Sequence, residues 1–115
     1  MICVYWVGVW LYMVEIMSNR HTVLKNDCGH LQYEVYNNAY YIHLKLYKWS
    51  KELYKKYLVI FEEWLLGLSD SGVNSVFVII PDNDKKLYKF EQMFGFEEIH
   101  REGGAIIMAR PTRRV

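Results

Sequence analysis

The strongest constraint in this chain is a change of hydrophobic period near its middle. Residues 39–47 alternate, with Ile42, Leu44 and Leu46 on one side and Tyr41, His43, Lys45 and Tyr47 on the other. Period two with one apolar face is the pattern of a half-buried strand. From Ser50 the spacing changes to threes and fours through Leu53, Tyr57, Ile60, Phe61, Trp64, Leu65 and Leu68. That is one face of an amphipathic helix. Ser50 stands where an N-cap hydroxyl meets the first free amides, and Ser69-Asp70-Ser71-Gly72 stops the helix. Val76-Phe77-Val78-Ile79-Ile80 is then a short apolar run ending at Pro81. It reads as a strand covered on both faces. Strand, helix and buried strand predict a parallel βαβ unit with a right-handed crossover.

The flanking segments complete one sheet. Residues 2–9 suit a strand, and residues 10–18 read either as its continuation or as a short helix. Residues 21–25 are a short strand candidate. Asn26-Asp27-Cys28-Gly29 is a turn in which Gly29 is free to take positive φ. Residues 30–36 alternate again, with Leu31, Tyr33 and Val35 opposite Gln32 and Glu34, and Asn37-Asn38 makes a tight turn. A three-stranded antiparallel meander therefore precedes the long helix. After Ile80, Asp82-Asn83-Asp84 can cap a second helix, marked by Leu87, Phe90, Met93 and Phe94 and ended by Gly95. Residues 96–101 and 105–109 form a terminal hairpin through Glu102-Gly103-Gly104. The expected fold class is α+β (mixed α/β), a single domain over residues 1–115 around one central mixed sheet.

Composition removes several function classes. A formal net charge of +1 gives no electrostatic case for nucleic acid as a partner. Arg110, Arg113 and Arg114 read as a solvated basic tail. Cys3 and Cys28 have no neighbour at metal-ligand spacing, and His21, His30, His43 and His100 are scattered, so no metal site is expected. Two reduced thiols are the expected state. Residues 2–14 carry no charge, yet they are shorter than the roughly 20 residues a bilayer span needs. They also lack the basic start and cleavage site of a signal peptide. They read as a core strand and helix start, with no membrane partner and a cytoplasmic location expected.

Residues 21–110 resemble the Gcn5-related N-acetyltransferase (GNAT) superfamily. The most specific piece is Ile80-Pro81-Asp82-Asn83 followed by Lys89-Phe90-Glu91-Gln92-Met93-Phe94-Gly95-Phe96-Glu97-Glu98. It is similar to the family's signature of an asparagine, a helix and then Gly-Phe. Ile42-His43-Leu44-Lys45-Leu46-Tyr47 looks like the family's central strand. The likeness extends to the small GNAT-like proteins of tailed bacteriophages, which would put the protein in the host cytoplasm. It implies a V-shaped splay between residues 39–47 and 73–80 that receives the pantetheine arm of acetyl-CoA along Leu46 and Tyr47. The pyrophosphate would sit at the start of the long helix, within reach of Lys51, Tyr54, Lys55 and Lys56, with Asn83 nearby. An amine of a protein or small molecule would attack the thioester directly. The family's first strand and two helices would be shortened here to about residues 1–20. That leaves the acceptor site open, or completed by a second subunit in a homodimer or by a large macromolecular substrate.

Within that resemblance, His43 and Glu34 are candidates for the base, and Tyr88 and Glu91 for the acid. The family often has a tyrosine four residues before the glycine of Gly-Phe, where this chain has Glu91. A carboxyl group there serves only if burial keeps it protonated. Tyr88, one turn earlier, is the substitute. The plainer readings are a structural His43, a solvated Glu34, a surface Tyr88, and core or rim places for Trp49, Tyr54, Tyr57 and Trp64. The chain also departs from the family where spaced glycines normally admit the pyrophosphate. Glu52-Leu53-Tyr54-Lys55-Lys56-Tyr57 stands there, and no glycine occurs between Gly29 and Gly67. Two functions follow. One is an acyl-CoA-dependent N-acyltransferase. The other is a catalytically silent scaffold that binds a protein, such as a phage product that blocks a host factor.

Overall fold

The computed structural model describes residues 20–113. The expected strand and helix start in residues 2–18, together with Cys3 and Arg114, lie outside the described residues. Strands β1 (His21–Asn26), β2 (Gly29–Tyr36) and β3 (Ala39–Leu46) form the expected antiparallel meander. Asn37 and Asn38 join β2 to β3 with φ of 51° and 65°. Asparagine tolerates this region better than most residues, and two positive φ values suit the twist of a hairpin. The β1–β2 turn corrects an expectation, because Gly29 is not at positive φ. It is needed for space: a Cβ there would collide with the carbonyl oxygen of Lys45 on β3. The turn is built instead by the Asn26 side chain, whose Oδ1 accepts from the amides of Cys28 (2.8 Å) and Gly29 (3.2 Å).

Helix α1 (Lys51–Asp70) begins as expected, with Ser50 Oγ accepting from the Leu53 amide at 3.0 Å. Its spacing buries Tyr57, Phe61 and Leu65 against Leu31, Ile42 and Leu44 of the meander. The chain turns at Gly72, φ 95°, into β4 (Ser75–Pro81), which runs parallel to β3. Helix α2 (Lys85–Met93) follows, capped by Asp84, and Gly95 at φ 91° leads out of it. Strands β5 (Glu97–Glu102) and β6 (Ala105–Pro111) close the sheet, whose order is β1-β2-β3-β4-β6-β5.

Two further expectations are corrected. Strand β4 is not covered equally on both faces: Val76, Val78 and Ile80 are buried, while Phe77 and Ile79 are half-buried. Both described helices pack against the first set, which shares a cluster with Ile106, Met108, Phe94 and Phe96. Arg110 is not a solvated tail residue but is 3% exposed. It pairs with Val76 in the β4–β6 ladder and so points inward. Its guanidinium donates to the Phe94 carbonyl (3.1 Å) and to Glu62 of α1 (2.9 Å), and it lies over the Phe61 ring. Arg113 is tied to Asp70 at 2.9 Å. No described helix is long and apolar enough to cross a membrane.

Candidate functional site

The site originates in an incomplete pairing. Strands β3 and β4 are in register only at Tyr40↔Val76 and Tyr41↔Phe77. Both continue, β3 to Leu46 and β4 to Pro81. Past Tyr41, β3 stays paired with β2 as far as Leu46↔Gly29, and β4 stays paired with β6 as far as Pro81↔Ala105. The two halves of the sheet therefore diverge, as neighbouring twisted strands can once their shared ladder stops. The result is a cleft of about 480 Å³. One wall is the open edge of β3, with His43, Leu44, Lys45 and Leu46, together with His30 of β2. The other is α2 and its cap, with Asp84, Lys86, Leu87, Phe90 and Glu91.

Three buried ionisable groups lie at or beside these walls: His43 and Glu91 line the cleft, and Glu34 sits behind His43. Glu34 pairs with Tyr41 and His43 with Gln32, so Glu34 and His43 are diagonal neighbours on one face of the ladder. The Glu34 carboxylate meets Nε2 of His43. Glu34 is 0% exposed and His43 2%. The alternating pattern implied a solvated polar face here, and the structure buries it instead. The Arg20 guanidinium lies 3.7 Å from Glu34. Burial holds the His43 pKa below the ordinary histidine value, against the opposing pull of the Glu34 carboxylate. His43 is thus a neutral imidazole at neutral pH, with Nδ1 buried and without a hydrogen-bond partner among the described residues.

Glu91 is 2% exposed, and its Oε1 has no hydrogen-bond partner among the described residues. Burial alone pushes its pKa up to about 8, so it carries a proton at pH 7. The cleft is therefore lined by a neutral imidazole on β3 and a neutral carboxyl group on α2. Environments that push the pKa values of titratable groups apart are how enzymes assign acid and base roles.

The remaining predicted residues are spread over several places. Leu46 lines the cleft, and exposed Tyr47 stands just beyond it, its hydroxyl 2.9 Å from Nδ1 of His30. Lys51, Lys55 and Lys56 are exposed on the first turns of α1. Tyr54 donates to the Met93 carbonyl at 2.7 Å and packs on Trp49 and Phe94. Tyr57 points into the core, where its hydroxyl donates to Asn26, so it does not cover the start of the helix. Asn83 is exposed in the turn before α2, and the neighbouring Asp84 is the residue that lines the cleft. Tyr88 is not brought together with the others. Its hydroxyl donates to Glu98 at 3.0 Å, a bond that raises its pKa, and it lines a second hollow with Lys85, Gln92 and Arg101. Of the lining residues, sequence reasoning named only His43, Leu46 and Glu91, and it missed the rest, His30 and the α2 residues Lys86, Leu87 and Phe90 among them. The signal for His30 was present: it lies on the same alternating face of β2 as Glu34.

No protein-family model matches the sequence, and no curated protein matches it. Solved structures do resemble the fold. The crystal structure of SsHAT matches with a TM-score of 0.55 and 24% identity over 65% of this chain. That match spans only 37% of SsHAT. The PaiA N-acetyltransferase of Thermoplasma acidophilum, solved in complex with coenzyme A, matches with a TM-score of 0.59 and 16% identity. That match covers 90% of this chain and 69% of the other. Among the described residues, the six-stranded mixed sheet, its splayed parallel pair and two helices make a GNAT-like fold.

Proposed function

We propose that this protein is an N-acyltransferase that moves an acyl group from acyl-CoA to an amine of a protein or small molecule. The observation that carries the proposal is the early end of the β3–β4 ladder, with His43 and Glu91 on the walls of the cleft it opens. The open edge of β3 offers backbone groups that the amides of a pantetheine arm can pair with, as an added strand does. Leu44, Leu46, Leu87 and Phe90 supply an apolar wall beside it. The phosphates would lie at the positive start of α1, within reach of Lys51, Lys55 and Lys56. A CoA-bound neighbour of the same fold supports this assignment.

The roles follow from the protonation states. An amine arrives as an ammonium ion, and neutral His43 takes its first proton while the Glu34 carboxylate stabilises the imidazolium. The freed nitrogen attacks the thioester carbonyl carbon, and the carbon–sulfur bond then breaks. Glu91 gives its proton to the departing thiolate and recovers one from the nitrogen, now an amide. Only a carboxyl group kept neutral by its surroundings can donate in this way.

Calorimetric titration with acetyl-CoA is the test. Saturable heat is expected, and its absence refutes the transferase reading. One observation favours the second reading, a silent protein-binding scaffold. Ser50 Oγ already takes the Leu53 amide at the start of α1, and no glycine opens that turn. The scaffold reading predicts an unchanged melting temperature in millimolar acetyl-CoA, since a native-state ligand must raise it.

A further inference from the structure

Acylating an ammonium ion releases one proton per turnover. Two protons leave nitrogen, and only one of them ends on sulfur. The proposed base pair is buried, with Glu34 at 0% and His43 at 2% exposure, so that surplus proton needs a route out. His30 lies one step along the same face. It pairs with Lys45 as Gln32 pairs with His43, which makes His30 and His43 diagonal neighbours on the β2–β3 ladder. Such neighbours sit roughly 7–8 Å apart between Cα atoms. Both line the cleft. Nε2 of His30 and Nδ1 of His43 are buried nitrogens without a hydrogen-bond partner among the described residues. Buried polar atoms are normally satisfied, by ordered water where protein does not reach. On its other side, His30 Nδ1 is 2.9 Å from the hydroxyl of Tyr47, which is 45% exposed.

We propose that His30 is a proton relay: with one bridging water, it carries the proton from His43 to the Tyr47 hydroxyl and out to solvent. The idea rests on the transferase reading, which supplies the proton. In the transfer, Nδ1 of the His43 imidazolium gives its proton to the water, and the water gives one to Nε2 of His30. His30 releases the proton on Nδ1 to the Tyr47 oxygen, and Tyr47 releases its own to bulk water. Every hop breaks one bond to hydrogen and forms another, and His43 returns to its neutral form. The hops are concerted, so positive charge does not rest on His30. Burial and the nearby cations Arg20 and Lys25 oppose such a charge, holding its pKa at about 4. Lys45 beside it and Lys86 of α2 are further cations on the cleft wall, while Asp84 and protonated Glu91 face it from the same helix and its cap.

The test has a structural arm and a kinetic arm. A high-resolution crystal structure of the full chain is expected to hold one ordered water within hydrogen-bond distance of both histidine nitrogens. An apolar side chain filling that gap overturns the relay. The kinetic arm follows acetyl transfer from acetyl-CoA to n-butylamine by wild type, His30→Ala and His30→Gln. Both variants are expected to lose roughly tenfold or more in kcat, at the low end of what proton-transfer groups contribute. KM for acetyl-CoA should stay unchanged, and added imidazole should restore His30→Ala. A kcat equal to wild type in both variants, or a loss that imidazole does not repair, overturns the relay and leaves the transferase reading standing. A wild type that neither binds acetyl-CoA nor transfers the acetyl group overturns both.

Discussion

Glu91→Gln isolates the most consequential side chain, because it keeps the shape and removes the ionisation. In the folded protein Glu91 titrates at about 8 against an ordinary value of 4.5, and the cause is burial. Below pH 4.5 both folded and unfolded chains hold the proton, and the group does not weaken the fold. Between pH 4.5 and 8 only the unfolded chain gives it up, so the unfolded state gains and stability declines with rising pH. Above 8 the penalty is constant. At about 1.4 kcal/mol per pH unit the full effect is roughly 5 kcal/mol. This is a ceiling, since water entering the cleft lowers the cost of ionisation. It is a large share of the roughly 5–15 kcal/mol that holds a domain of this kind together. Urea unfolding of wild type and Glu91→Gln from pH 4 to 9 measures it directly, because the other titrating groups cancel in the difference. Wild type should lose about 3–5 kcal/mol relative to the variant across that range. The variant should also lose about a hundredfold or more in kcat. A stability difference that does not change with pH would mean that Glu91 ionises normally, and the assignment of a neutral acid would fail.

Three other changes test separate links. Gly29→Ala forces a Cβ against the Lys45 carbonyl oxygen, so it should cost about 1–3 kcal/mol in urea unfolding. A neutral result would mean that the β2–β3 ladder yields easily at its end. Ser50→Ala removes the α1 cap and should cost about 1 kcal/mol. It also frees the Leu53 amide, so calorimetry should find acetyl-CoA binding tighter by a few-fold, and weaker binding would place the phosphates elsewhere. Tyr88→Phe breaks a surface bond to Glu98, so it should leave kcat within a factor of two of wild type. A hundredfold loss would move the acid role from Glu91 to Tyr88.

Most of the fold is legible locally. The switch from period two to period 3.6 at Ser50 is a backbone fact written in side chains, and the helix begins there. Asn37-Asn38 and Gly103-Gly104 declare their turns because few residues accept positive φ at both positions. Gly29 shows the limit of this reasoning. Its sequence context suggested a conformational role, while its actual role is to let a strand 16 residues away approach closely. Arg110 shows the same limit. A cluster of arginines near a terminus reads as a tail, and only the register with Val76 turns this one inward, toward the end of α2.

The cleft was less legible, for a reason that concerns environment rather than residue type. Glu34 and Glu91 are the same side chain, and both are fully or nearly buried. Glu34 has His43 in contact and the Arg20 cation nearby, so a negative charge has partners there. Glu91 sits beside Leu87 and Phe90, and among the described residues no charged partner offsets its burial. A charge without a partner is far more expensive to bury than a paired one, so the isolated group stays protonated. The sequence states that two carboxyl groups exist. In the proposed reaction, which of them stabilises a proton and which donates one follows from the partners the fold brings to each: His43 and Arg20 to Glu34, and the apolar residues of α2 to Glu91. The contribution of the splay to the proposed reaction is to leave His43 and Glu91 on one cleft. A variant that re-zipped β3 to β4 would abolish it without changing any ionisable residue.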